Sequence, residues 1–346
     1  MASGKDFNFI DMSGKFQEIP QNGYLLQDLA IFQTIPHDNI NVSTDRLDDS
    51  QSELTKAVAR TSMDMSPIHI PRAANYILPT VLRHTVSTVS TSDWQGKRAI
   101  GEDRPMTAND VVFNQMRKHQ QQAHDDRERV LAQVLFANTV NREYGESTID
   151  YQEFWDADQN GNRMEQGTFT LDAGPTGYAL ASLEKAKTQL KSKMGGWRNR
   201  VSGYYLFCSA SVFYGIMQAP DVMQAVLYSK IGTDAMFPAS LSGYDNFRIG
   251  NVTVILDDSE FHADYVSDGT AYLVPRFSGV VEGSIAPFTM FNCPASHNQK
   301  VAEGPAYGTF FYVFDDAYFN KSVNCEASYL PVQFRPDWVL RVDYSA

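Results

Sequence analysis

The sequence predicts an α+β protein assembled from an arm, an extended β hairpin, one long helix and a compact α/β layer. Three observations carry that prediction: an unbroken helical signal over residues 108–139, β-rich stretches on both sides of it, and a strand, helix, strand alternation from residue 201 onward.

Residues 1–57 mix polar residues, aspartates and short apolar clusters without a sustained period, the pattern of an arm. Within and just beyond them, LDDSQSELTKAVARTSM predicts a short helix capped by Asp49 or Ser50. Residues 58–106 contain YILPTVLRHTVSTVSTS, in which Val and Thr alternate with polar residues, so a long two-stranded hairpin is expected there. It has too few apolar side chains for a core of its own, and its apolar face must rest on something else. The segment PMTANDVVFNQMRKHQQQAHDDRERVLAQVLFANTVN follows, with no internal Pro or Gly and with Thr107 and Asp110 placed as a capping box. A helix over about 32 residues would be roughly 48 Å long. Val112, Met116, Ala123, Val130 and Val134 lie near one face, whereas residues 117–129 are polar nearly all round, which predicts a strut exposed in its middle.

After the strut, EYGESTIDYQEFW alternates as a strand would, with Ile149, Tyr151 and Phe154 on one side, and TFTLD resumes a strand. TGYALASLEKAKTQLKSKMGG repeats Leu183, Ala186 or Lys187, Leu190 and Met194 at helical spacing and stops at Gly195. GYYLFC, SVFYGIMQAPDVMQAVLY, NVTVILDD and AYLVPRF then form the α/β layer, and GTFFYVFDDAYF and PDWVLRVDY close the chain as aromatic-rich strands.

Charge and composition exclude several classes. The 346 residues carry a formal net charge of −12, which repels a phosphate backbone and argues against a dedicated nucleic-acid reader. Residues 58–106 are the only segment with a basic excess, six Lys and Arg against four Asp and Glu. No apolar run spans 18 residues and MASGKDFNF lacks a signal-peptide pattern, so synthesis in the cytoplasm and no membrane partner are expected. Cys208, Cys293 and Cys325 are odd in number and show no C-x-x-C spacing, the usage of small buried residues rather than of disulfides or a zinc site.

Motifs with chemical content are few. FWDADQNGNRMEQG offers Asp156, Asp158, Asn160 and Gly161 as the first half of a calcium loop. Position 12 of that loop is Gly167 instead of a bidentate glutamate, so the segment is expected to be a turn between strands. His119 and His124 are five residues apart, off the spacing that aligns two metal ligands, and the histidines are expected to be solvated or capping. GPTGYAL lacks the G-K-[ST] of a phosphate loop, and no G-x-S-x-G occurs. Lys185, Lys187, Lys191, Lys193, Arg198 and Arg200 complement a helix C-terminus or could face nucleic acid. No catalytic residue, metal site or cofactor is assigned.

Two stretches resemble the lambda-type family of tailed-phage major capsid proteins, which has the HK97-like capsid fold. They are GEDRPMTANDVVFNQMRKHQQQAHDDRERVLAQVLFANTV, like that family's acidic, proline-punctuated entry into a long helix, and SYLPVQFRPDWVLRVDYSA, like its closing strands with Pro-Asp before the last. The resemblance covers roughly residues 60–346. It implies an N-terminal arm (1–57), an E-loop (58–106), a P-domain (107–200 with 301–346, its spine helix about 108–139) and an A-domain (201–300). It further implies self-assembly into hexamers and pentamers of an icosahedral head enclosing double-stranded DNA, with a portal protein and scaffolding or decoration proteins as further partners. Alternatives are an encapsulin-like compartment shell and a soluble α/β enzyme with a pocket near Cys208.

Within this frame the basic loop residues Arg72, Arg83, Lys97, Arg98 and Arg104 are candidates to meet carboxylates of a neighbouring copy. Those carboxylates would be Glu102 or Asp103, or Asp125, Asp126 and Glu128 on the spine. Lys97 also lies where some capsids of this fold join a lysine to an asparagine, although an unmodified surface lysine is the expectation here.

Overall fold

The computed structural model describes residues 9–11, 24–45, 75–98, 105–141, 148–155, 164–172, 178–228, 244–278, 285–296, 302–315 and 320–345. Its first elements are β1 (Phe9–Asp11), the helical turn α1 (Leu25–Asp28), β2 (Gln33–Pro36), β3 (Asn41–Asp45), β4 (Asn75–Pro79), β5 (Val81–Val89), α2 (Thr91–Trp94) and the long α3 (Ala108–Ala137). There follow β6 (Thr139–Val140), β7 (Ile149–Asp150), α4 (Tyr151–Phe154), β8 (Gly167–Asp172), α5 (Ala179–Lys193), β9 (Val201–Cys208), α6 (Ala210–Gln218) and α7 (Pro220–Tyr228). The chain closes with β10 (Asn246–Ile249), β11 (Val252–Leu256), β12 (Thr270–Phe277), β13 (Phe288–Asn292), β14 (Thr309–Asp315), β15 (Lys321–Gln333) and β16 (Leu340–Ser345).

The long helix forms where its caps place it. Asp110 N donates to the Thr107 hydroxyl at 3.3 Å and Thr107 N donates to Asp110 Oδ2 at 2.8 Å, so two otherwise orphaned donors are satisfied at the first turn. Asn138 ends it in the left-handed region at φ 57°, a conformation asparagine tolerates. The middle is not an exposed strut. His119, Gln120, His124 and Glu128 are all buried, because this polar stripe is matched by polar partners rather than by apolar area. On β5, the Thr85 and Ser87 hydroxyls lie 2.9 Å and 2.8 Å from His119 Nδ1 and Nε2, and burial together with the charge of His84 holds this imidazole below its ordinary pKa.

Two six-stranded sheets share α3. The first runs β1-β14-β15-β13-β2, with β5 on the opposite edge of β15. β14 and β13 follow each other along β15, and at their junction Gly308 takes φ +75° with its Cα against the Asn292 side chain, where a Cβ would collide. The second sheet runs β10-β11-β9-β12-β16-β8. Leu183 and Leu190 of α5 and Val212 and Ile216 of α6 cover one of its faces through Leu206 and Leu273. On the other face Phe207, Tyr272 and Val274 join the cluster formed by the last turns of α3. Phe136 is central there, with ring centroids 5.6 Å from Phe207 and 4.8 Å from Tyr272, and truncating so buried an aromatic costs about 3–5 kcal/mol. β8 is an edge strand protected by α5: Gln189 Nε2 donates to Thr168 O at 3.3 Å and Ser182 Oγ to Asp172 O at 3.5 Å.

Several expectations are corrected. Among the described residues of 58–106, β4 and β5 do not pair with each other: β4 pairs with β3, and β5 pairs with β15. Leu78 and Val89 of this run are buried against their own chain, whereas Ile77 and Val86 stay exposed. Residues 24–36 are not an outlying arm either, since Leu25, Leu26 and Phe32 are buried in the main core and β2 joins the first sheet alongside β13. Among the described residues 148–155 of the expected EYGESTIDYQEFW strand, only Ile149–Asp150 forms a strand. Asp150 then caps α4 by accepting from Gln152 N at 2.8 Å, and the i, i+4 pair Tyr151 and Trp155 is buried together. The long apolar helix after β9 breaks into α6 and α7 at Pro220, with Ala219 extended. The closing strands β15 and β16 sit in different sheets, β13 from the expected A-domain belongs to the first sheet, and β8 and β16 from the expected P-domain belong to the second. Asp49, Ser50 and the calcium-like turn at 156–163 lie outside the described residues.

Candidate functional site

The most chemically specific assembly in the molecule is a buried clamp that straps residues 24–28 across the middle of α3. Glu128 is fully buried, and its carboxylate accepts the backbone N–H of Leu26 at 2.6 Å and of Gln27 at 3.3 Å, with Gln27 Nε2 at 3.0 Å. On its other side Glu128 Oε1 lies 3.2 Å from His262 Nε2, an ion-pair distance without hydrogen-bond alignment. His262 Nδ1 donates to Asp257, 2.9 Å from Oδ1 and 2.8 Å from Oδ2. Burial alone would depress this imidazole. The hydrogen bond to Asp257 and the charges of Asp257 and Glu128 outweigh burial and push its pKa up to about 9. One buried cation thus sits between two buried anions, the condition under which such charges persist in a core.

A second, neutral layer completes the clamp. Gln27 Nε2 also donates to His124 O at 3.0 Å, and His124 Nδ1 meets Gln27 Oε1 at 3.1 Å. Burial, with the nearby charge of Arg127, holds His124 down to about 4, so it is neutral and donates through Nδ1. Tyr24 stacks on His124 with centroids 5.8 Å apart and donates its hydroxyl to Asp125 Oδ1 at 2.5 Å. Sequence reasoning missed Tyr24, Gln27, Asp257 and His262. It also expected His119, His124 and His262 to be solvated or capping; all three are buried with specific partners.

The loop and spine candidates are dispersed. Arg83 points inward and donates from Nη1 to Asp126 O of its own chain at 3.3 Å. Glu128 is consumed by the clamp and Asp125 by Tyr24, while Asp126 is half-buried. Lys97 and Arg98 are exposed, at a bridge where Arg98 pairs with Pro105 and Met106 N donates to Lys97 O at 2.8 Å. Arg72, Glu102, Asp103 and Arg104 lie outside the described residues. Lys187 is buried against Glu184 and Asn251, whereas Lys185, Lys191, Arg198 and Arg200 are exposed and Lys193 is half-buried.

Other motifs resolve into structure. Arg335 pairs with Asp337 through two contacts of 2.9 Å, and Trp338 Nε1 donates to Lys193 O at 3.1 Å, so the FRPDW stretch caps the C-terminus of α5. Cys208 is fully buried and its thiol is pushed well above the ordinary range by burial, then by the charge of Asp257, which opposes the thiolate a nucleophile requires. Among the described residues, no group of three or more His, Cys, Asp or Glu is arranged to hold a metal ion, and no helix is long and apolar enough to cross a membrane.

A strapped long helix shared by two sheets, together with the β3–β4 pair, gives the chain the mixed α+β architecture expected of a capsid subunit. The phage major capsid protein E family matches residues 10–343, and the chain belongs to that family. It is a structural protein of the phage capsid. Similar solved structures include the mature capsid of bacteriophage PhiM1, 12% identical, covering 94% of this chain and 88% of that one at a TM-score of 0.48. A phage-related protein of Bordetella bronchiseptica RB50 and the holo-SrpI encapsulin complex of Synechococcus elongatus PCC 7942 are each 10% identical, cover 95% of this chain and 94% of theirs, and have TM-scores of 0.49. No curated protein sequence matches it.

Proposed function

We propose that this chain is the tile of an icosahedral phage head, assembling into hexamers and pentamers around double-stranded DNA, with a portal protein at one vertex and scaffolding or decoration proteins as further partners. The carrying observation is the family match over residues 10–343. The shell encloses and does not catalyse, and its subunits are made in the host cytoplasm before they enter the virion. The antiparallel stem of β3 and β4 supports placing the E-loop at about 41–79, earlier than 58–106, with β5 returning to the P-domain sheet. Residues 24–36 then belong to the P-domain surface as a docked strap.

Particles from cells expressing the chain, viewed by negative-stain microscopy and treated with nuclease, test this reading. Polyhedral shells with protected DNA in the phage context are expected; shells that enclose only protein would favour a compartment, and a compact monomer would end the shell reading. Exposed Arg98, with Arg104, remains the proposed loop contact to a neighbour's carboxylates. Single surface pairs contribute only about 0–1 kcal/mol, yet a shell repeats each one in every copy. Charge reversal at both positions should lower particle yield, and a normal yield would remove them from the interface.

A further inference from the structure

We infer that the second sheet carries a head-to-tail contact between copies, in which the acidic rim at one end of its strands seats against the basic rim at the other end of a neighbour's sheet. The inference rests on the shell reading and names a surface for it. β9 and β11 run parallel and β12 runs against them, so their connections gather into two opposite rims. Beyond Cys208 and Leu256, the loop from β11 to β12 exposes Asp258, Glu260, Asp264 and Asp268. At the opposite rim stand exposed Arg198 and Arg200 before β9, Arg248 beside the β10–β11 turn and Arg276 at the end of β12.

Both rims are held from within. Arg200 lies 4.8 Å over the Trp197 ring, Arg276 lies 5.9 Å over Tyr205, and Arg248 Nε donates to Gly250 O at 2.8 Å. The acidic loop is pinned by Asp257 and His262, and by Gly269 N donating to the Ser209 and Ser211 hydroxyls at 3.1 Å and 3.0 Å. Each rim has an opposing neighbour: Arg129 lies 5.3 Å over Phe261 beside the acidic loop, and Glu165 lies near the basic end, where Lys193 Nζ donates to its carbonyl at 3.4 Å. Exposed Glu184 adds a further carboxylate near the basic end, beside Lys187 and Asn251, and among the described residues the four arginines and four carboxylates leave the two rims opposite in sign.

Distance decides whether these charges satisfy each other inside one copy. The eight residues of β9, at ~3.3 Å each, separate the rims by roughly 23 Å, about three Debye lengths at physiological salt. Within a copy the attraction is screened; across a contact between copies it is not. Because the complementary patches occupy different places on the chain, the contact is heterologous and builds rings or curved arrays instead of closed pairs. A phosphate backbone would suit the basic rim alone and leaves the acidic rim unexplained.

The test reverses whole rims. One variant carries R198E, R200E, R248E and R276E; a second carries D258K, E260K, D264K and D268K; a third carries all eight. All eight positions are exposed, and thermal melts establish that each variant folds. Each single-rim variant is expected to raise the protein concentration needed for particle formation at least tenfold at low salt. The eightfold variant should recover particles, and an equal mixture of the two single-rim variants should recover hexamers, in which they can alternate, but not five-membered rings, in which they cannot. Native-like assembly by both single-rim variants, or no recovery in either combination, overturns the contact. Loss of DNA retention with unimpaired assembly in the first variant also overturns it and assigns the basic rim to nucleic acid. Absence of particles from the native chain under the same conditions overturns the shell reading, and this contact with it.

Discussion

Replacing His262 by glutamine removes the cation from between Glu128 and Asp257 while retaining a polar side chain. The rise of the imidazole pKa from 6.5 to about 9 corresponds, at ~1.36 kcal/mol per pH unit, to about 3 kcal/mol of stability linked to its proton. The folded-state value is the higher one, so the contribution is complete below pH 6.5 and is lost as pH rises through 9. Hydrogen exchange at the Leu26 and Gln27 amides, which donate to Glu128, reports the clamp locally. In the native protein, protection corrected for intrinsic exchange should fall by about two orders of magnitude between pH 6.5 and 10, at about 1.4 kcal/mol per tenfold. His262→Gln should already show that lower protection at pH 6.5 and no comparable slope. Native-level protection in the variant, or a flat profile in the native protein, would refute the idea that this cation holds the strap.

Three further outcomes follow from other sites. Gly308→Ala forces a Cβ onto the Asn292 side chain at a left-handed φ, and a loss of about 1–3 kcal/mol should appear as a lowered melting temperature. Tyr151→Phe strips the buried Pro331 carbonyl of its donor at 2.7 Å, for a loss of about 1–3 kcal/mol in urea titration. Burial pushes the thiols of Cys293 and Cys325 up to about 12 and that of Cys208 well above its usual value, so a thiol reagent at neutral pH should label none of the three until denaturant is added.

What the sequence disclosed was whatever is written in neighbouring residues. The capping box at Thr107, the periodicity of α5 and the aromatic strands near the end of the chain are local patterns, and each appears within a residue or two of its expected place. The family resemblance, carried by the entry to α3 and the closing strands, is upheld over nearly the whole chain. Pairings over long distances were not legible. Nothing in YILPTVLRHTVSTVSTS says that its first five-residue strand meets residues 41–45 and its second meets residues 321–329. The clamp was hidden for the same reason: Leu26, Glu128 and His262 come from three separate regions, and a buried glutamate looks like a surface one until its partners are seen. The alternation read through Ile149, Tyr151 and Phe154 holds only for its first two residues, Ile149 and Asp150, because Asp150 caps a helical turn that starts at Tyr151.

β15 bears on how the chain is made. Residues 81–89 come off the ribosome more than two hundred positions before the strand that receives them, and β13 and β14 also wait for that strand. Pairings so remote are slow to form and leave sticky intermediates exposed in the meantime. A polypeptide interrupted before residue 321 therefore has no middle to its first sheet, and a prematurely ended product is barred from entering, and spoiling, a lattice of finished ones.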